Sequence, residues 1–237
     1  MTTLDNIVEE VKKAESIVIL THESPDGDAV GSVLAMYNAL KQLGKNADVI
    51  VPKYSRIFKY LPGAEEILTE GKKEQYDLAI SLDCGSMDRL NGWQSYFVNA
   101  KTSINIDHHT KNSMFGDFNY VDPASPACCQ ILIIVLEALN IKITKEIGTC
   151  LLTGIITDTG GFKYQGVTSE TFQFVAWLLQ SGINVSEIYQ KALQIKTKAN
   201  YELTKIAMNR MEFLENGKIA FTYITLNDEE EVGAEEG

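Results

Sequence analysis

No stretch of this 237-residue chain approaches the roughly 18 uncharged apolar residues that a membrane-spanning helix needs. The opening segment, "MTTLDNIVEEVKKAE", reads as an acidic amphipathic helix and lacks the basic-then-apolar order of an export signal. These absences predict a cytoplasmic protein with no membrane partner. A basic excess is missing too: 21 Lys and Arg stand against 32 Asp and Glu, a formal charge of −11. That balance argues against gripping long nucleic acid through many phosphate contacts, but leaves room for a small phosphate-bearing substrate if bound cations supply positive charge. Cysteine is limited to Cys84, Cys128, Cys129 and Cys150 without paired metal-ligand spacing, so these read as reduced core thiols. Histidine is scarcest of the chemically active residues, with three in the chain and none after His109.

What is present suffices for a full core, since 45% of the residues are hydrophobic. "SIVIL" (16 to 20), "ADVIV" (47 to 51), "YDLAISLD" (76 to 83) and "TSINID" (102 to 107) read as strands, and "DAVGSVLAMYNALKQLG" (28 to 44) as a helix between the first two. "SPACCQILIIVLEALN" and "KEIGTCLLTGIITD" read as buried helices. The alternation predicts an α/β fold with a doubly wound, mostly parallel sheet. In the last third, "SETFQFVAWLLQSG", "VSEIYQKAL" and "KANYELTKIAMNRMEFL" read as successive helices, "GKIAFTYITL" (217 to 226) as a lone strand, and "NDEEEVGAEEG" as a solvated acidic tail. A lone strand offers its edge to a second copy, so a homodimer is one expectation.

In such a sheet, functional groups gather beyond the carboxyl ends of the strands. "SIVIL" runs into Thr21 and His22, "LAISL" into Asp83, and "INI" into Asp107, His108 and His109, while the loop after His22 adds Asp26 and Asp28, and "GIITDTGGF" adds Asp158. Taken alone, a D-G-D turn more often caps a helix, and a strand-end Asp is more often solvated. Together, all three histidines and at least four carboxylates land on one predicted edge. Imidazole mixed with carboxylate suits manganese, iron or zinc, whereas calcium and magnesium prefer oxygen alone. Two such ions about 3.5 to 4 Å apart activate water and clamp a phosphoryl group. Four carboxylates balance their charge.

At these residues the sequence resembles the DHH family of phosphoesterases, through "THESPDGDAVGS" (21 to 32), "SLDCGS" (81 to 86), "NIDHHT" (105 to 110) and "GIITDTGGFKY" (154 to 164) in order. Within the family it is most similar to the nanoRNase and pAp-phosphatase group. The resemblance implies manganese-dependent hydrolysis of very short oligonucleotides and of 3′-phosphoadenosine 5′-phosphate (pAp). It implies His22, Asp26 and Asp83 on one metal, and Asp28, Asp83, His108 and Asp158 on the other, with Asp83 as the bridge. Asp107 would orient an imidazole, His109 would act as general acid or phosphate contact, and Lys163 is a candidate phosphate contact. Family members of this group carry a second, nucleotide-binding domain with a glycine-rich, histidine-containing motif. Here the expected organisation is a catalytic domain over 1–185, a helical linker over 186–215, and the stump of a substrate-binding domain over 216–237. A family II pyrophosphatase shares the fold and metal scheme, but its first motif usually reads Asn-Pro-Asp-Thr-Asp, and this chain has "SPDGDAVG". Cyclic dinucleotide phosphodiesterases usually add sensory and membrane segments. A non-catalytic metal-binding module is the remaining alternative.

Overall fold

The computed structural model describes residues 2–51 and 53–234. Tertiary contacts divide the chain after Leu193 into two units.

The first unit is built on β1 (Ser16–Leu20), β2 (Asn46–Ile50), β3 (Ile67–Leu68), β4 (Leu78–Leu82), β5 (Thr102–Asp107) and β6 (Phe118–Val121). They form one sheet in the order β3-β2-β1-β4-β5-β6. Every neighbouring pair is parallel. Its helices are α1 (Thr3–Lys13), α2 (Gly27–Gln42), α3 (Gln94–Val98), α4 (Cys128–Ala138), α5 (Lys145–Asp158), α6 (Ser169–Leu178) and α7 (Val185–Tyr189). β1 and β4 are buried along their whole length, which is why "SIVIL" and "LAISL" show no polar alternation. Successive side chains of a strand point to opposite faces. Ile17, Ile19, Leu78, Ile80 and Leu82 therefore join a core with Val33 and Leu34 of α2, Leu132 of α4 and Leu151 of α5, while Val18, Leu20 and Ala79 join a second core with Phe97 of α3. The sheet is doubly wound.

The strand order reverses between β1 and β4, the switch point where crossover loops diverge and leave a crevice. The four strands expected from sequence are present, β1 and β5 with the expected ends and β2 and β4 with shifted ones; β3 and β6 are additional. β3 has two residues and β6 is only half-buried, so neither carries a readable hydrophobic pattern.

The second unit contains α8 (Lys198–Asn209), β7 (Glu212–Leu214), β8 (Ile219–Phe221) and α9 (Leu226–Val232). The strand expected over 217–226 is confined to β8 and is not alone: it pairs antiparallel with β7, which the sequence placed at the end of a helix. Glu215, Asn216 and Gly217 all have positive φ, and this left-handed turn reverses the chain, as Asn-Gly commonly does between strands. The 186–215 segment is accordingly not helical throughout, and the lone-edge basis for a homodimer does not hold in that form. The acidic tail is also partly structured. Thr225 and Asp228 form a capping box at the start of α9, and Gly233 closes it at φ 63°. Asp228 accepts two bonds from the Arg210 guanidinium, the longer at 2.8 Å. Residues 235–237 of the expected tail lie outside the described residues. Among the described residues, no helix is long and apolar enough to cross a membrane.

Candidate metal centre

β1 ends at Leu20, and the chain leaves the sheet through Thr21 and His22, both buried. Four residues later Asp26 caps α2, its Oδ1 accepting the backbone N–H of Asp28 at 3.0 Å and of Ala29 at 3.1 Å. The capping role expected of an isolated D-G-D turn is real, yet it occupies one carboxylate oxygen and leaves Oδ2. Asp28, in the first turn of α2, is fully buried. Its two oxygens accept the N–H groups of Cys128 and Cys129 at 2.5 and 3.0 Å, so the N-terminus of α4 holds this carboxyl group in place. Space for it depends on Gly154 of α5, where a Cβ would stand 2.5 Å from Asp28 Oδ1 and 2.3 Å from Cys129 Sγ.

Asp83 follows β4 across the switch point. Its N–H continues the sheet ladder to Ile106 O at 3.0 Å, but its φ of 53° is left-handed. This strain of about 1–3 kcal/mol is held by the surrounding structure, and Asp is among the few side chains that accept it. The turn aims the carboxylate at both histidine-bearing loops. Asp83 Oδ2 lies 3.8 Å from His22 Nε2, and Oδ1 lies 3.4 Å from His108 Nε2 and 3.7 Å from His109 Nδ1. Asp158, at the end of α5, closes the cluster with Oδ2 at 3.2 Å from His108 Nε2.

The structure thus gathers His22, Asp26 and Asp83 in one group with ligand atoms mutually within 4.8 Å, Asp28, His108 and Asp158 in a second, and Asp83, His108 and His109 in a third. The donor set fits divalent cations. Asp83 Oδ1 is buried and accepts no hydrogen bond among the described residues, an expensive vacancy for a carboxylate oxygen unless a cation faces it. Burial, with Asp83 beside it, pushes Asp28 up to about 7. Burial pushes Asp158 up to about 7, with the charges of Asp28 and Asp26 adding to the effect. Burial, and then Asp26 and Asp158, push Asp83 up to about 6 despite nearby His108. Burial opposes protonation of His108, but the surrounding carboxylates raise it to about 10. The cluster is short of positive charge, and a proton on His108 is its own substitute.

The two adjacent histidines are held differently. His108 Nδ1 faces the Ser125 carbonyl at 3.2 Å; a carbonyl only accepts, so Nδ1 carries a proton and Nε2 is the nitrogen turned to Asp83 and Asp158. His109 Nδ1 lies 2.7 Å from Asp107 Oδ1. Asp107 therefore orients the imidazole of His109, and a backbone carbonyl orients that of His108. Burial raises Asp107, but its bonds from His109 and Asn112 outweigh this and hold it below the usual carboxylate range. The Asp107 hydrogen bond raises His109. Asn112 Nδ2 braces Asp107 Oδ2 at 2.6 Å and Asn105 Oδ1 at 2.8 Å.

Of the sequence candidates, Lys163 stands apart: it is exposed, and its side chain makes no hydrogen bond or ion pair among the described residues. Residues missed from sequence are Ser125, Asn112, the Cys128 and Cys129 amides, and Arg89, whose Nη2 lies 3.2 Å from His22 Nδ1. Only Arg89 had a sequence signal, six residues after Asp83 in the loop leaving a switch-point strand.

Residues 16–155 match the family model described as the DHH family, N-terminal domain. The chain is 36% identical over 234 residues to the bifunctional oligoribonuclease and PAP phosphatase NrnA of Thermus thermophilus, covering 97% of this chain and 69% of that protein. It is 24% identical over 219 residues to the protein of the same name in Bacillus subtilis, covering 89% and 67%. The chain spans about two thirds of the length of these curated relatives. Among solved structures, an exopolyphosphatase-related protein from Bacteroides fragilis superposes with a TM-score of 0.90 at 25% identity, covering 99% of this chain and 73% of that one.

Proposed function

The chain belongs to the DHH family, and from that premise we propose that it is a metal-dependent phosphoesterase that hydrolyses very short oligonucleotides and pAp. The observation that carries this reading is the pair of ligand groups on either side of Asp83, at the switch point of the sheet. The relatives from Thermus thermophilus and Bacillus subtilis, named for oligoribonuclease and PAP phosphatase activity, support the substrate class.

In this reading His22, Asp26 and Asp83 hold one divalent cation, and Asp28, Asp83, His108 and Asp158 hold the other, with manganese preferred because two ligands are imidazoles. Two such ions would supply an activated water and Lewis-acid stabilisation of the phosphoryl oxygens. The protein's own residues do the rest. The α4 N-terminus keeps the Asp28 carboxyl group aligned. Ser125 keeps His108 in the tautomer whose Nε2 is free to ligate. Asp107 and Asn112 fix His109, which is 36% exposed. With Nδ1 committed to Asp107, Nε2 of His109 is the nitrogen available to the scissile phosphate or the leaving oxygen. Lys163, one turn beyond Asp158, is a peripheral candidate for the distal phosphate. The unit ending at Leu193 would carry the chemistry, and the unit that follows, with its β7–β8 hairpin, would belong to a substrate-binding domain. The four cysteines are unpaired, in keeping with a cytoplasmic location.

The test is metal content of the purified chain measured beside turnover of pAp, a linear dinucleotide and pyrophosphate. Manganese-supported cleavage of the first two is expected. Turnover of pyrophosphate alone would favour the pyrophosphatase alternative, and bound metal without turnover of any of them would favour a binding module.

A further inference from the structure

Arg89 has no role in the scheme above, yet it is tied into it. It lies in a short turn, Met87–Leu90, between β4 and α3. Its carbonyl accepts the N–H of Glu23 at 2.8 Å, and Asn91 Nδ2 donates to Glu23 Oε2 at 2.5 Å. The turn is therefore clipped to the loop that bears His22. The guanidinium is partly buried, and its one side-chain partner among the described residues is His22 Nδ1 at 3.2 Å. No described carboxylate pairs with it.

Guanidinium carries five N–H donors in a planar fork, and a single contact to an imidazole leaves most of them unspent. The guanidinium and Asp83 face the two nitrogens of one ring, Nδ1 at 3.2 Å and Nε2 at 3.8 Å. Asp28 accepts two amides of α4, and Asp26 caps α2 through Oδ1 alone. The contact to His22 also excludes the state that the proposed metal site requires. A neutral imidazole has one N–H; when Nε2 serves as ligand, the proton sits on Nδ1, and two donors then oppose each other across the gap that Arg89 now spans. The guanidinium must turn to another acceptor.

We propose that Arg89 is a substrate-binding residue, whose guanidinium grips a phosphate oxygen pair on the His22 side of the cluster once His22 is a metal ligand. This rests on the phosphoesterase reading and deepens it, because a planar fork suits phosphate oxygens better than a lysine does.

The experiment uses the full 237-residue chain as wild type, Arg89→Gln and Arg89→Lys. Manganese is titrated calorimetrically into each, then inorganic phosphate and AMP into the metal-loaded proteins, with KM and kcat on a dinucleotide measured in parallel. Expected are unchanged manganese stoichiometry and affinity in both variants. Phosphate and AMP affinity should fall about 10- to 100-fold in Arg89→Gln, the scale of a hydrogen bond to a charged group, with KM rising more than kcat falls, and Arg89→Lys should lie between. Phosphate affinity within twofold of wild type in Arg89→Gln overturns the proposal. So does loss of manganese affinity in Arg89→Lys, which would make Arg89 a brace for His22, or a metal-loaded wild type that binds no phosphate. A wild type that binds phosphate through Arg89 but cleaves no ester would instead overturn the phosphoesterase reading and leave this contact standing.

Discussion

Oδ1 of Asp107 lies 2.7 Å from Nδ1 of His109, joining a fully buried carboxylate to an imidazole that is 36% exposed. The pair resembles a base oriented by a fixed partner, with one ring nitrogen held inside and the other left for chemistry.

His109→Ala should retain both metals and lose turnover by about 10²- to 10⁴-fold, the usual worth of a positioned acid or phosphate donor. Asp107→Asn should also retain metal but lose less, since the ring remains and only its orientation and charge partner are weakened. Metal content by elemental analysis beside steady-state kinetics separates these cases. Metal loss in His109→Ala would make His109 a ligand.

Asp83→Asn should empty or cripple both metal positions, whereas Asp26→Asn should mainly weaken one. The same variant tests the electrostatics. Folding raises Asp83 from the ordinary 3.8 to about 6, so its contribution is favourable below about pH 4 and is lost as the pH rises through 6. Asn also accepts the left-handed backbone at this position. In chelator at pH 8, Asp83→Asn should therefore melt a few °C above wild type, and the gap should close toward pH 4. Manganese should reverse the order. Thermal melts at both pH values check the sign; a variant less stable than wild type at pH 8 without metal would contradict the crowded-carboxylate account.

Gly154→Ala should destabilise the chain by about 1–3 kcal/mol, as overpacking does, because the new methyl would meet Asp28 Oδ1 and Cys129 Sγ at 2.5 and 2.3 Å. Metal affinity at the Asp28, His108, Asp158 group should fall with it. Denaturant melts and metal titration should show both losses together; a stability loss with metal binding intact would mean that Asp28 has room to retreat.

Manganese should support more activity than magnesium or calcium, because His22 and His108 offer nitrogen that hard cations accept poorly. Rates measured across the three metals check this, and equal activity with calcium would count against histidine ligation.

Much of the site could be read from sequence because it is built at strand ends. A parallel sheet brings the carboxyl ends of its strands to one edge, so His22 after "SIVIL", Asp83 after "LAISL" and the DHH triplet after "INI" had to lie near one another once the pattern was read as α/β. Asn-Gly at 216–217 was equally legible as a hairpin turn, but the helix-like run before it masked β7, which has three residues.

Ligand chemistry, the fold class and the edge on which the site lies were set by the sequence, since they follow from residue type and hydrophobic period. The partner of each histidine was decided only by the tertiary structure. His108 and His109 are adjacent and chemically identical, yet one meets the Ser125 carbonyl and the other meets Asp107. Arg89 reaches His22 across 67 residues, and Asp28 meets the α4 amides across 100. Such contacts depend on where loops and helix ends converge after the sheet has closed, and local periodicity carries no record of that convergence.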